Sequence, residues 1–158
     1  MQNIQWDQEV DVVVLGTGGA ALSAAISASE NGASVLVLEK THQIGGTTAY
    51  SGGIPWVPLN HYMEAAGFKD DREQVVQFIK RLALGRAEDH MIERYVDKAR
   101  EVFQFLDEKA GVRFKTPNDY SEYYAHMEEA LKNGTRSIDP LPFDLNQIGE
   151  WGMHLRQN

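Results

Sequence analysis

Val10 to Leu15 is an almost unbroken apolar, β-branched run, the pattern of a strand buried on both faces of a parallel sheet. It stops abruptly at Gly16-Thr17-Gly18-Gly19. From Ala20 to Glu30 small residues dominate, with Leu22 and Ile26 one turn apart, which predicts a helix able to lie close against a sheet. Asn31-Gly32 ends it, and Ser34 to Leu38 reads as a second buried strand with Glu39 at its end. Strand, glycine-rich turn, helix and strand in that order predict a right-handed βαβ unit.

Gln43 to Gly53 is rich in Gly, Thr and Ser and follows neither a helical nor a strand period. The period changes near Asp71, which can cap a helix with Gln74 at its third position and Val75, Val76, Ile79, Leu82 and Ala83 on one face, ended by Gly85. Asp89 can cap a second, whose buried stripe is Ile92, Tyr95, Val96, Ala99, Val102, Phe103 and Leu106, closed by Gly111 before Val112 to Phe114. From Thr116 the chain is aromatic and proline-punctuated and reads mostly as loop, with one short helix expected between Asp144 and Leu155. The fold class expected is α/β, a Rossmann-like βαβ unit followed by amphipathic helices, with no internal repeat and no interdomain linker.

Composition narrows the classes of function. A chain of 158 residues with 42% hydrophobic content reads as one folded domain. Net charge is −8 with no Lys/Arg-rich run, which argues against a grip on nucleic-acid phosphates or anionic lipid. Absence of cysteine removes disulfides, thiolate metal sites and thiol redox relays, so two-electron chemistry would need a bound cofactor. The apolar strings Val12 to Leu15 and Val35 to Leu38 are too short to span a bilayer or serve as a secretory signal, and a cytoplasmic location is expected.

Candidate chemistry begins at Gly16-x-Gly18-x-x-Ala21: a tight turn, a backbone close enough for a pyrophosphate, and a small residue where helix meets sheet. A phosphate would then sit at the helix N-terminus, among unpaired N–H groups. Glu39 follows roughly 20 residues later, where a carboxylate can bind ribose hydroxyls. NAD and FAD both use such a unit. The second glycine-rich segment, Gly45-Gly46-Thr47-Thr48-Ala49-Tyr50-Ser51-Gly52-Gly53, lets backbone approach another portion of a large, extended cofactor and favours FAD. His42, His61, His90, His126 and His154 show no metal-type spacing, so no metal site is expected, and Asp70-Asp71, Glu88-Asp89 and Glu128-Glu129 read as helix starts or solvated faces.

The run from Val12 to Gly53 resembles the start of the fumarate reductase and succinate dehydrogenase flavoprotein superfamily. Three further segments are similar to its 3-ketosteroid Δ1-dehydrogenase branch: Trp56-Val57-Pro58-Leu59-Asn60, Asp119-Tyr120-Ser121-Glu122-Tyr123-Tyr124, and Gly134-Thr135-Arg136-Ser137 followed by Pro140-Leu141-Pro142-Phe143-Asp144. The resemblance implies FAD held by Gly16, Gly18, Gly19, Ala21, Glu39, Lys40, Gly45, Gly46, Thr47, Thr48, Ser51, Gly52 and Gly53. Gly46 stands where covalent members carry histidine, which implies noncovalent flavin. It implies removal of a proton from C2 of a 3-ketosteroid or related cyclic ketone while hydride leaves C1 for flavin N5. Tyr123 is the best match to the family's N-terminal tyrosine that assists the base, with Tyr120 and Tyr124 as alternatives.

Members of that branch are several times longer, with a substrate domain and a C-terminal cofactor-binding segment outside residues 1–158. The chain is thus expected to be the N-terminal part of the FAD-binding domain: a truncation, a cleavage product, or a subunit completed by a second polypeptide. Two rival functions remain at this point, a fumarate- or urocanate-type reductase and a noncatalytic flavin-binding subunit.

Overall fold

Strand β1 (Val12–Leu15) pairs in parallel with β2 (Val35–Leu38), Val12 opposite Val35 and Leu15 opposite Leu38, and helix α1 (Gly19–Glu30) connects them. The computed structural model describes residues 5–117 and 121–157. The chain divides into two compact units, Met1–Gly52 with Phe143–Asn158, and Gly53–Pro142.

In the first unit the βαβ order is as expected, and Asn31 with Gly32 (φ 84°) ends α1. The strands are not buried on both faces. Val14 is 8% exposed while its neighbours Val13 and Leu15 are 52% and 77% exposed. Side chains alternate along a strand, so one helix packed on a two-stranded sheet covers one face and leaves the other open. The returning segment starts at Asp144, whose side chain accepts from the Asn146 N–H, and forms a 3₁₀ helix, Leu145–His154, broken at Gly149 (φ 55°, ψ −130°). Leu155 then lies parallel to Ile44: Ile44 N–H donates to His154 O at 2.8 Å and Arg156 N–H to Ile44 O at 2.9 Å.

The second unit holds α2 (His61–Ala65), α3 (Arg72–Ala83), α4 (Asp89–Ala110) and a short antiparallel pair, β3 (Phe114–Lys115) with β4 (Asp139–Pro140). The Asp71 carboxylate caps α3 through the Gln74 N–H, as the spacing predicts, and Gly111 (φ 64°) closes α4. Two ends differ by a residue: Leu84 (φ 51°), one position ahead of Gly85 (φ 74°), is the C-cap of α3, and Glu88 is the cap of α4, with Asp89 its first residue. Val75 and Val76 of α3 meet Val96 of α4 in one core; Val57, Ala99, Phe114 and Ile138 form another.

The second unit is organised by a buried cation. Arg136 is fully buried, its Nε and Nη2 donating to both oxygens of Asp70 at 3.0 and 2.8 Å, and its Nη1 to Glu122 at 3.3 Å and to the Glu129 carbonyl at 3.0 Å. The guanidinium lies 5.7 Å from the Trp56 ring centroid and 5.4 Å from that of Phe78. Asp70 is therefore a buried partner rather than part of a solvated face. Glu129 also departs from that expectation, being 9% exposed and paired with Arg81 at 2.7 Å.

Candidate functional site

The first unit contains a groove of about 680 Å³, within the size range of small-molecule sites, lined by Leu15, Gly16, Thr17, Gly18, Leu38, Glu39, Lys40, Gly46, Thr47 and Arg156. Its floor follows from strand register. Leu15 opposes Leu38, Gly16 N–H donates to Leu38 O at 2.6 Å, and the residues just beyond both strand ends, Thr17 and Glu39, meet side by side.

Thr17 is the node of the groove. Its hydroxyl donates to Glu39 Oε2 at 2.6 Å and accepts from the Gly45 N–H at 2.9 Å, tying the first glycine turn, the acidic strand end and the second glycine-rich segment together. The Thr17 hydroxyl, with a further bond from the Thr41 N–H, holds the Glu39 carboxyl below the usual carboxylate range, so it is ionised at neutral pH and accepts hydrogen bonds.

Glycine is required where the two segments approach. Gly46 has φ 55°, and a Cβ there would lie 3.1 Å from Gly18 Cα and 3.2 Å from Gly18 N. At Gly45 (φ 113°) a Cβ would lie 2.8 Å from that of Ala49. Helix α1 begins behind this contact with Gly18 as N-cap, no capping side chain and no acidic residue in its first turn. The Thr48 hydroxyl accepts from the Gly19 N–H at 2.9 Å. A glycine-lined floor, a helix start whose N-cap is a glycine with no side chain of its own, and an ionised carboxylate fit the diphosphate and ribose of a dinucleotide such as FAD.

Of the residues expected to hold cofactor, Gly16, Gly18, Glu39, Lys40, Gly46 and Thr47 line this groove, and Gly19, Gly45 and Thr48 brace it. Ala21, Ser51 and Gly52 belong to the same unit but do not line it, and Gly53 begins the other unit. Thr17 and Arg156 were not foreseen. The register of two parallel strands, each followed by a polar residue, could have pointed to Thr17. Nothing local points to Arg156, which reaches Thr41 from 115 positions away.

The tyrosines lie in the second unit. Tyr123 (87% exposed) and Tyr124 (47% exposed) line an apolar pocket of about 430 Å³ with Trp56, Phe78, Leu82 and Tyr95. Tyr95 donates its hydroxyl to the Trp56 carbonyl. Tyr120, the third candidate, lies outside the described residues. Glu122, next to Tyr123, is fixed by Arg136, by Trp56 Nε1 at 2.8 Å and by the Leu131 N–H at 2.5 Å. Trp56 thus serves as a packing residue and a hydrogen-bond donor in this wall. His61 pairs with Asp107 at 3.3 Å and His90 with Glu88 at 3.2 Å. No helix among the described residues is long and apolar enough to cross a membrane.

Comparison with known proteins agrees with this geometry. The 3-oxosteroid 1-dehydrogenase of Comamonas testosteroni is 39% identical over 142 residues, covering 90% of this chain and 24% of that protein. The 4-oxocyclohexanecarboxylate 2-dehydrogenase of Sinomonas cyclohexanicum is 32% identical, covering 92% of this chain and 29% of that protein. The chain therefore spans about a quarter of the length of these relatives. Among solved structures, the 3-ketosteroid delta1-dehydrogenase of Sterolibacterium denitrificans, in complex with 1,4-androstadiene-3,17-dione, superposes with a TM-score of 0.83 at 31% identity, over 94% of this chain and 26% of that one. The model of the FAD binding domain family matches residues 11–155, and the chain belongs to that family, where it is related to the 3-ketosteroid dehydrogenases.

Proposed function

We propose that the protein carrying this chain is an FAD-dependent dehydrogenase that introduces a double bond next to the ketone of a 3-ketosteroid or a related cyclic ketone. One observation carries the reading: a groove built from two interlocked glycine segments and a Thr17-held carboxylate, in a chain whose relatives bear the names of ring-ketone dehydrogenases. Gly16, Gly18 and Gly19 would face the diphosphate, Glu39 with Lys40 the adenosine ribose, and Gly45, Gly46, Thr47 and Thr48 the stretch toward the flavin. Ser51, Gly52 and Gly53 continue that stretch, while Ala21 keeps α1 close to the sheet. Gly46 offers no side chain for a covalent link, so the flavin is held noncovalently.

Bound there, FAD would supply the two-electron acceptor for hydride lost from the ring, while the residues of this chain would hold it and assist loss of the proton from the carbon next to the ketone. The contribution of this chain to the proton is Tyr123, with Tyr124 and Tyr120 as the alternatives. A phenol is a weak base at neutral pH, so its part is to donate to and steady a second base rather than act alone.

Anaerobic mixing of the yellow protein with a 3-ketosteroid, and separately with 4-oxocyclohexanecarboxylate, is expected to bleach the flavin and yield a conjugated enone. Tyr123→Phe should retain flavin and slow that step by roughly a hundredfold. Flavin that no ketone reduces, but that fumarate or urocanate reoxidises after chemical reduction, would overturn the assignment.

A further inference from the structure

The groove contains a cation for which the glycine-turn chemistry gives no role. Arg156 lines it, yet its own hydrogen bonds are poor: Nη2 to Thr41 Oγ1 at 3.3 Å and Nη1 to the Tyr50 hydroxyl at 3.5 Å, both at the long limit for such bonds. Its Nε is buried with no acceptor. Among the described residues no carboxylate lies within ion-pair distance of it. A buried guanidinium N–H without an acceptor is unfavourable, and such groups in folded proteins mark a missing partner.

The position is built. Leu155 is bridged to Ile44, and the backbone bonds on either side, Ile44 N–H to His154 O and Arg156 N–H to Ile44 O, fix the Arg156 Cα beside the second glycine-rich segment. The Tyr50 ring, 5.3 Å from the guanidinium carbon, supports one face of the fork. Glu39, the carboxylate of the same groove, is already engaged by Thr17 and Thr41. Two cations, Lys40 and Arg156, thus share the groove with one ionised carboxylate.

We propose that Arg156 is a cofactor-binding residue whose guanidinium pairs with the diphosphate of the dinucleotide. This rests on the reading of the groove as an FAD site. The diphosphate is the anionic part of FAD, and a planar fork with unspent donors is the side chain suited to bind it in bidentate fashion. The segment from Asp144 to Arg156 is thereby part of the nucleotide site, and it adds a second cation to Lys40 in the groove.

Binding of ADP and of adenosine to apoprotein, prepared by stripping flavin from the holoprotein, tests the assignment by calorimetry. Arg156→Ala is expected to weaken ADP by roughly 10- to 100-fold, as for loss of a charge-assisted pair, and to leave adenosine within about twofold. Arg156→Lys should recover part of the ADP affinity, and the salt dependence of ADP binding should fall in Arg156→Ala. Unchanged ADP affinity overturns the proposal; so does equal weakening of ADP and adenosine, which would place the contact on the nucleoside or reflect a collapsed groove. Wild-type apoprotein that binds neither ADP nor FAD would instead remove the cofactor reading on which the proposal stands.

Discussion

At Gly46 two requirements coincide, a left-handed backbone and contact with Gly18, and they separate experimentally. Gly46→Ala adds a methyl 3.1 Å from Gly18 Cα and strains φ 55°, whereas Gly32→Ala strains φ 84° with no atom within 4 Å. Each carries roughly 1 kcal/mol of backbone strain, but only the first forces the glycine segments apart. The flavin-to-protein ratio after gel filtration is expected to fall at least about tenfold in Gly46→Ala and to stay near wild type in Gly32→Ala, since about 1.4 kcal/mol is tenfold; equal retention in both would mean that the close approach is irrelevant to the cofactor. Gly16, Gly18 and Glu39 were legible in the sequence because their spacing is local and each follows a β-branched run. Thr17 and Arg156 were not, because they reach the groove only after strand register and a returning segment bring distant residues together.

Among the elements, cap chemistry and the short helix after Asp144 were legible and helix α2 was not. Asp71 with Gln74 marked the start of α3 and the glycine at 111 the end of α4, because a side-chain cap and a left-handed terminus are one-residue signals; the other end of each helix was off by one residue. Helix α2 was missed: it has five residues, too few to show a period, and its Asn60 cap is buried among Val57 and Thr135 carbonyls. Arg136 ties α3 to the Trp56 and Glu122 segments. Its bidentate bond to Asp70 is fully buried, whereas the similar Arg72–Asp97 pair on α3 and α4 has side chains 44% and 48% exposed. Breaking a buried pair leaves desolvated carboxylates behind and costs about 3–5 kcal/mol. An exposed pair is worth about 0–1 kcal/mol. Urea unfolding should therefore show a several-fold larger loss of stability for Arg136→Ala than for Arg72→Ala; similar small losses for both would mean that the Arg136 cluster is not what holds α3, Trp56 and the tyrosine-bearing wall in place.

At the scale of the whole molecule, the division into two units was not legible, because Gly52-Gly53 reads as part of a cofactor loop rather than as a boundary. Nor was the exposure of β1, since a continuous apolar run looks the same whether one face or both are covered; the burial of Val14 beside exposed Leu15 depends on which layers are present. The α/β class and the order of elements were legible because strand, turn and helix follow one another within residues 10–39. Gly16, Gly18, Glu39, Gly46, Thr47 and Arg156 all lie in the first unit and line one groove, so the central claim concerns what that groove holds. Denaturing the purified holoprotein and weighing the released chromophore and the peptide by mass spectrometry decides it. Intact FAD in solution, with the peptide at its unmodified mass, is the expected result; flavin still bonded to the peptide, or a nicotinamide nucleotide in place of flavin, would contradict it.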